Sequence, residues 1–173
     1  MVNRRLRPSS AGRWVPCPGS VALEALFPEE EESQAAREGT AAHWLASEAL
    51  TVWATTDGGV PHIRGFLGQS TPNGVIVTEE MVDAVEVYVS DVMKIANQVG
   101  GLQSLYVEHQ VDISTVHPNN AGTLDGGAHI VAQSTSRLYV WDFKFGWGIV
   151  NAFENWQLLD YAVGLLQAML AKG

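Results

Sequence analysis

Cysteine is almost missing: Cys17 stands alone in 173 residues. A single thiol cannot form an internal disulfide, and metal sites built on thiolates need several, so thiolate clusters are excluded. Long apolar runs are missing too. No stretch approaches the roughly 18 residues of a membrane span, and no apolar segment follows the basic opening MVNRRLRPSS as a secretory signal would require. These absences predict a cytoplasmic protein with no membrane partner. Charge is modest, at 17% of residues with a net value of -9, which argues against a chain that coats nucleic acid with a broad basic surface. Positive charge is concentrated at the start. Arg4, Arg5, Arg7 and Arg13 fall within the first thirteen residues and leave about -13 for the rest, so a local basic tail touching a DNA backbone stays open. Neither an internal repeat nor a long linker divides the chain. Its length and a hydrophobic content of 46% suit one folded domain over residues 1–173.

Several elements can be read from local pattern. Pro16, Pro18 and Gly19 limit residues 9–27 to short helical pieces, and Cys17 in its Pro-bounded turn reads as a packing residue. The run Glu29–Glu32 reads as a solvated loop or helix start. Over 33–53, Ala42, Leu45, Ala46, Ala49, Leu50 and Trp53 recur at helical spacing. His43 lies one position from that stripe. Residues 56–77, studded with Gly58, Gly59, Pro61, Gly65, Gly68, Pro72 and Gly74, are expected to form a mobile loop. Thr78 reads as the N-cap of a second helix with Met81, Val85, Val89, Val92, Ala96 and Val99 on one face and a C-cap at Gly100 and Gly101. The period then alternates. Residues 104–113 read as a strand with Leu105, Val107, Val111 and Ile113 on one side; strands around 122–132 and 138–145 follow, and a helix over 155–171 has Leu158, Leu159, Ala162, Leu165, Leu166 and Met169 as its core face. The expected class is α/β, with a central, mostly antiparallel sheet of three or more strands flanked by helices.

The third strand, YVWDFKFGWG at 139–148, contains two opposite charges. Strand geometry puts Asp142 and Lys144 on one face with Leu138 and Val140, about 7 Å apart. Each must be exposed, paired or bound to a metal, because desolvating an isolated charge costs several kcal/mol. An edge strand facing water satisfies that condition. Asp125, in GTLDGG, reads as a turn-end aspartate or, across a hairpin, as a neighbour of Asp142; two close carboxylates repel unless a cation lies between them. His43 reads as an ordinary helix histidine or as a ligand that would favour Mn2+ over Mg2+. Gln157 and Tyr161, four residues apart, share one helix face, either as packing or toward a common ligand.

The ordered set His43, Asp125, Asp142, Lys144, Gln157 and Tyr161 resembles the PD-(D/E)XK nuclease superfamily, in particular its RecB-like branch. Within it, CPGS at 17–20, EGTAAH at 38–43, GTLDG at 122–126, DFKFGWG at 142–148 and ENWQLLDYA at 154–162 are similar to a phage and prophage family read as exonucleases. The likeness covers most of the chain, but not the helix at 78–99. It implies a restriction-endonuclease-like core in which His43, Asp125, Asp142 and the carbonyl of Phe143 hold Mg2+ or Mn2+. It further implies that Lys144 orients or activates the attacking water and that Gln157 and Tyr161 bind substrate. Glu108 is expected as an additional acidic catalytic residue beside Asp125, Asp142 and Lys144, as in lambda exonuclease. Some relatives carry an iron–sulfur cluster on four cysteines; this chain is expected to have none. Relatives continue with further strand and helix, so a fragment or a reduced member is expected.

The implied function is a metal-dependent DNA exonuclease of phage recombination or end processing, acting in a phage-infected or prophage-bearing cell and leaving 5'-phosphates. DNA is the implied partner, with a recombination protein and a homo-oligomer both allowed. The alternatives are a catalytically inactive binding module of the same fold and a metal hydrolase of smaller phosphoesters.

Overall fold

The computed structural model describes residues 6–27, 31–56, 59, 61–99, 101–146 and 150–171. Arg4, Arg5, Glu29, Glu30, Gly58, Gly100, Trp147, Gly148 and the side chain of Val99 lie outside the described residues. The chain begins with a 3-10 turn, Pro8–Ser10, and two short helices, α1 (Ala11–Trp14) and α2 (Gly19–Glu24). Cys17 is exposed rather than packed, because the whole Pro16–Gly19 turn between these helices lies at the surface.

Helix α3 (Gln34–Thr55) starts where the Ser33 hydroxyl accepts the Ala36 N–H at 3.2 Å, and it buries the expected stripe from Ala42 to Trp53. The following segment is more structured than its glycines suggest. It carries a 3-10 turn, Ile63–Phe66, and Asn73 exchanges hydrogen bonds with Arg37 of α3 at 2.8 and 3.2 Å. Arg64 meets Glu79, Asp83 and Glu86 at the start of α4 (Glu79–Val99), so the expected mobile loop is tied to both long helices. Thr78 caps α4 by accepting the Met81 N–H at 3.3 Å.

The sheet comprises β1 (Leu102–Asp112), β2 (Ala121–Ala132) and β3 (Thr135–Trp141), in that order and antiparallel throughout. Gly101, at φ 74°, leads into it; a side chain there would meet the Val131 carbonyl oxygen. Strand β3 ends four residues before the expected Phe145. Its last ladder pair is Gly126–Trp141, and the Phe143 N–H turns instead to the Asp125 carboxylate at 2.7 Å.

Helices α3 and α4 cover one face of the sheet, in a core that includes Leu105, Val107, Trp141 and Phe143. Helix α5 (Trp156–Leu170) covers the other, against Tyr106, Val111, Ile113, Leu124, Leu138 and Val140. Leu105 and Val107 are therefore separated from Val111 and Ile113, contrary to simple alternation. The cause is Glu108, whose φ of 44° is left-handed and reverses the phase of β1. The face of α5 is also rotated from expectation. Asp160, Tyr161, Gly164 and Leu165 are buried, while Leu159 and Leu166 remain 50% and 49% exposed. Close approach explains this: a side chain at position 164 would stand 2.8 Å from Val111 Cβ, so the helix docks along its glycine.

Candidate metal-binding site

The phase reversal in β1 is what assembles the site. Register pairs Val107 with Gly126 and His109 with Leu124, which sets Glu108 opposite Asp125. Both carboxylates face His43 on α3: its Nδ1 lies 3.2 Å from Asp125 Oδ1 and 3.9 Å from Glu108 Oε1. One ligand-type atom from each of the three lies within 4.8 Å of the others. A left-handed glutamate is unusual backbone, and such strain is found where a side chain must be aimed.

The electrostatics follow from this crowding. Burial works to lower the His43 pKa, but the hydrogen bond and charge of Asp125, with the charge of Glu108, outweigh it and leave the imidazole raised. Burial raises the Glu108 carboxyl, the charge of Asp125 adds to that, and His43 opposes. One nitrogen and two carboxylate oxygens make a donor set that suits a divalent ion of the Mg2+ or Mn2+ kind, the imidazole favouring the latter.

Asp142 is adjacent but differently engaged. It is not in the 4.8 Å group; its Oδ1 accepts from Gln157 Nε2 at 2.7 Å and Lys144 Nζ at 3.0 Å, and its Oδ2 lies 2.8 Å from the same ammonium. Burial raises its pKa against the pull of Lys144. The structure therefore brings His43 and Asp125 together as expected, adds Glu108 at close range, and sets Asp142 beside them with Lys144. Phe143 meets the site through its N–H, given to Asp125, and its ring lies 5.3 Å from that of His43. Gln157 and Tyr161 share the sheet-facing side of α5, with Gln157 on Asp142 and Tyr161 buried. Burial pushes the Tyr161 phenol up to about 12 despite its hydrogen bond with Gln157.

Beside His43 and Glu108, Ala36, Gly39, Thr40 and Ser47 line an open cleft of about 590 Å³. Arg13, expected at a DNA backbone, pairs with Glu24 at 3.2 Å, and Arg7 is exposed. Two buried polar features were absent from the sequence reading. One is the Asp160–Asn120 hydrogen bond at 3.1 Å; the other is Tyr88 of α4, whose ring stacks on Phe143. Neither belongs to a spacing motif, and Tyr88 is hidden among valines.

An imidazole and two carboxylates thus converge on one small volume of this α/β domain, next to a lysine–aspartate pair. The chain belongs to the family described as Protein of unknown function (DUF2800), which matches residues 4–171. No solved structure matches it. Among the described residues, no helix is long and apolar enough to cross a membrane.

Proposed function

We propose that this protein is a Mg2+- or Mn2+-dependent deoxyribonuclease, an exonuclease of phage recombination or DNA end processing, working in the cytoplasm as one PD-(D/E)XK-like domain. The observation that carries the reading is the convergence of His43, Glu108 and Asp125 within 4.8 Å. These three would hold the cation, with Asp142 alongside. When bound, a divalent ion neutralises phosphodiester charge and lowers the pKa of water. The chain's own residues supply the rest. Lys144, partly exposed, offers a cation to an anionic oxygen while Asp142 fixes its ammonium through both carboxylate oxygens. Gln157 holds Asp142 from α5 and so sets where Lys144 stands.

Linear DNA incubated with Mn2+ tests the reading. Wild-type protein is expected to degrade it, and Asp125→Ala and Asp142→Ala to lose about 100-fold or more. Absence of any metal-dependent cleavage overturns the proposal. The half-exposed apolar residues Trp156, Leu159 and Leu166 on α5 favour a second reading, an inactive module that binds a protein partner. Calorimetric titration with Mn2+ separates the two, since that module needs no cation.

A further inference from the structure

The open cleft beside the cluster takes no part in the reaction proposed above. His43 and Glu108 form one end of it, and their side chains are 29% and 40% exposed, so the cluster is open to solvent on this side. The other residues along it are Ala36, Gly39, Thr40, Trp44 and Ser47, all on α3. Trp44 is partly buried. It packs against the core and meets Phe66 edge-on, with centroids 5.7 Å apart and planes at 85°. That contact steadies the indole, and the part of the residue left uncovered is a wall of the cleft.

The chemistry of the lining separates two kinds of occupant. A track for phosphates needs cations or free N–H and O–H donors. Among the described residues, no lysine or arginine lines the cleft, and its two hydroxyls turn back onto their own helix: Thr40 donates to the Ala36 carbonyl at 3.1 Å and Ser47 to the Trp44 carbonyl at 2.9 Å. What remains is an aromatic ring, methyl and methylene groups, and the space above Gly39. A Cβ at position 39 would meet nothing within 4 Å, so no packing contact requires glycine there, although glycine weakens a helix interior relative to alanine. Its bare backbone leaves room for an occupant. A nucleobase suits such a wall, because every base has a π face to lay on an aromatic ring. A phosphodiester held by the His43–Glu108–Asp125 cluster carries a nucleoside on each side, and one directed along α3 enters the cleft.

We propose that Trp44 is a stacking platform for the nucleobase next to the scissile phosphodiester, and that the strand at this site is single. The inference rests on the nuclease reading above. A base laid against a side chain has left its duplex stack. The test compares a single-stranded thymidine oligonucleotide with a chain of the same length built of stable abasic residues, their affinities read by fluorescence anisotropy with Ca2+ in place of Mn2+. Wild-type protein is expected to bind the thymidine chain about tenfold more tightly, and Trp44→Leu to bind the two alike. Trp44→Phe, which keeps a ring, is expected to retain most of the preference. Gly39→Leu, which sends a side chain into the open space, is expected to melt at or above the wild-type temperature, to bind Mn2+ as wild type does in calorimetry, and to lose the preference. Should Trp44→Leu fail to fold, Gly39→Leu decides. With Mn2+, blunt duplex DNA is expected to be cut about tenfold more slowly than the single strand. Equal wild-type affinity for the two chains, a preference that survives in the folded variants, or duplex cut at least as fast as single strand overturns this inference alone. Wild-type protein that neither binds Mn2+ nor cleaves DNA overturns it together with the reading beneath it.

Discussion

On one face of the sheet, α3 and α4 bury Leu45, Leu50, Met81, Val82, Val85, Val89 and Val92 almost completely, whereas on the other α5 covers a smaller cluster and turns Leu159 and Leu166 half outward. The site straddles this difference. His43 comes from the thick layer, and Glu108 and Asp125 point toward it; Gln157 and Tyr161 come from the thin one. The comparison teaches a division of labour. His43, which would grip a cation with Glu108 and Asp125, stands on the well-packed layer, and Gln157, which steadies Asp142 and through it Lys144, stands on the lighter one.

The division can be broken most severely at Asp125, which serves both His43 and the Phe143 N–H. Asp125→Asn is expected to abolish the heat of Mn2+ binding and, in a DNA digestion assay, to lower cleavage by about 100-fold or more. Next in size is the thick layer itself. Leu45→Ala should cost about 2–5 kcal/mol in urea unfolding, the usual range for a fully buried leucine. On the thin side, Gln157→Ala removes a donor to Asp142 and is expected to slow cleavage by about tenfold while leaving the Mn2+ titration as in wild type.

A pH series sharpens the comparison further. His43, Glu108 and Asp142 all have raised pKa values, so the folded protein holds more protons than the unfolded chain from the carboxylate range to above the ordinary imidazole value of 6.5. Stability of the metal-free protein should therefore fall as pH rises through that window, read as a lower Tm at about pH 8 than at about pH 5. Added Mn2+ should flatten the profile by replacing those protons. The smallest effect is expected at Leu159→Ala, within about 0.5 kcal/mol by urea unfolding, because that side chain is half in water already.

Helices were legible in the sequence where capping and periodicity agree, as at Ser33 and Thr78, and so was the hairpin of β2 and β3 at the polar tract Gln133–Arg137, although β3 begins inside that tract, at Thr135 rather than Leu138. Alternation failed at Glu108 because a pattern of period two has no means of registering one left-handed residue. The face of α5 was misjudged because counting leucines ignores that a flat sheet surface accepts a glycine more closely than a leucine. At the site, His43 and Asp125 could be anticipated from residue type and order. The burial of Tyr88 beside it could not, since that ring packs on Gly126 and Phe143, which are distant in the chain.

Glu108 also makes β1 behave like a crankshaft. Upstream of that one peptide Leu105 and Val107 face the two long helices, and downstream Val111 and Ile113 face the last one, so straightening the bend would withdraw the carboxylate and rotate Val111 and Ile113 off α5 in the same movement. The aim of the Glu108 carboxylate and the seating of the final helix thus depend on the same peptide.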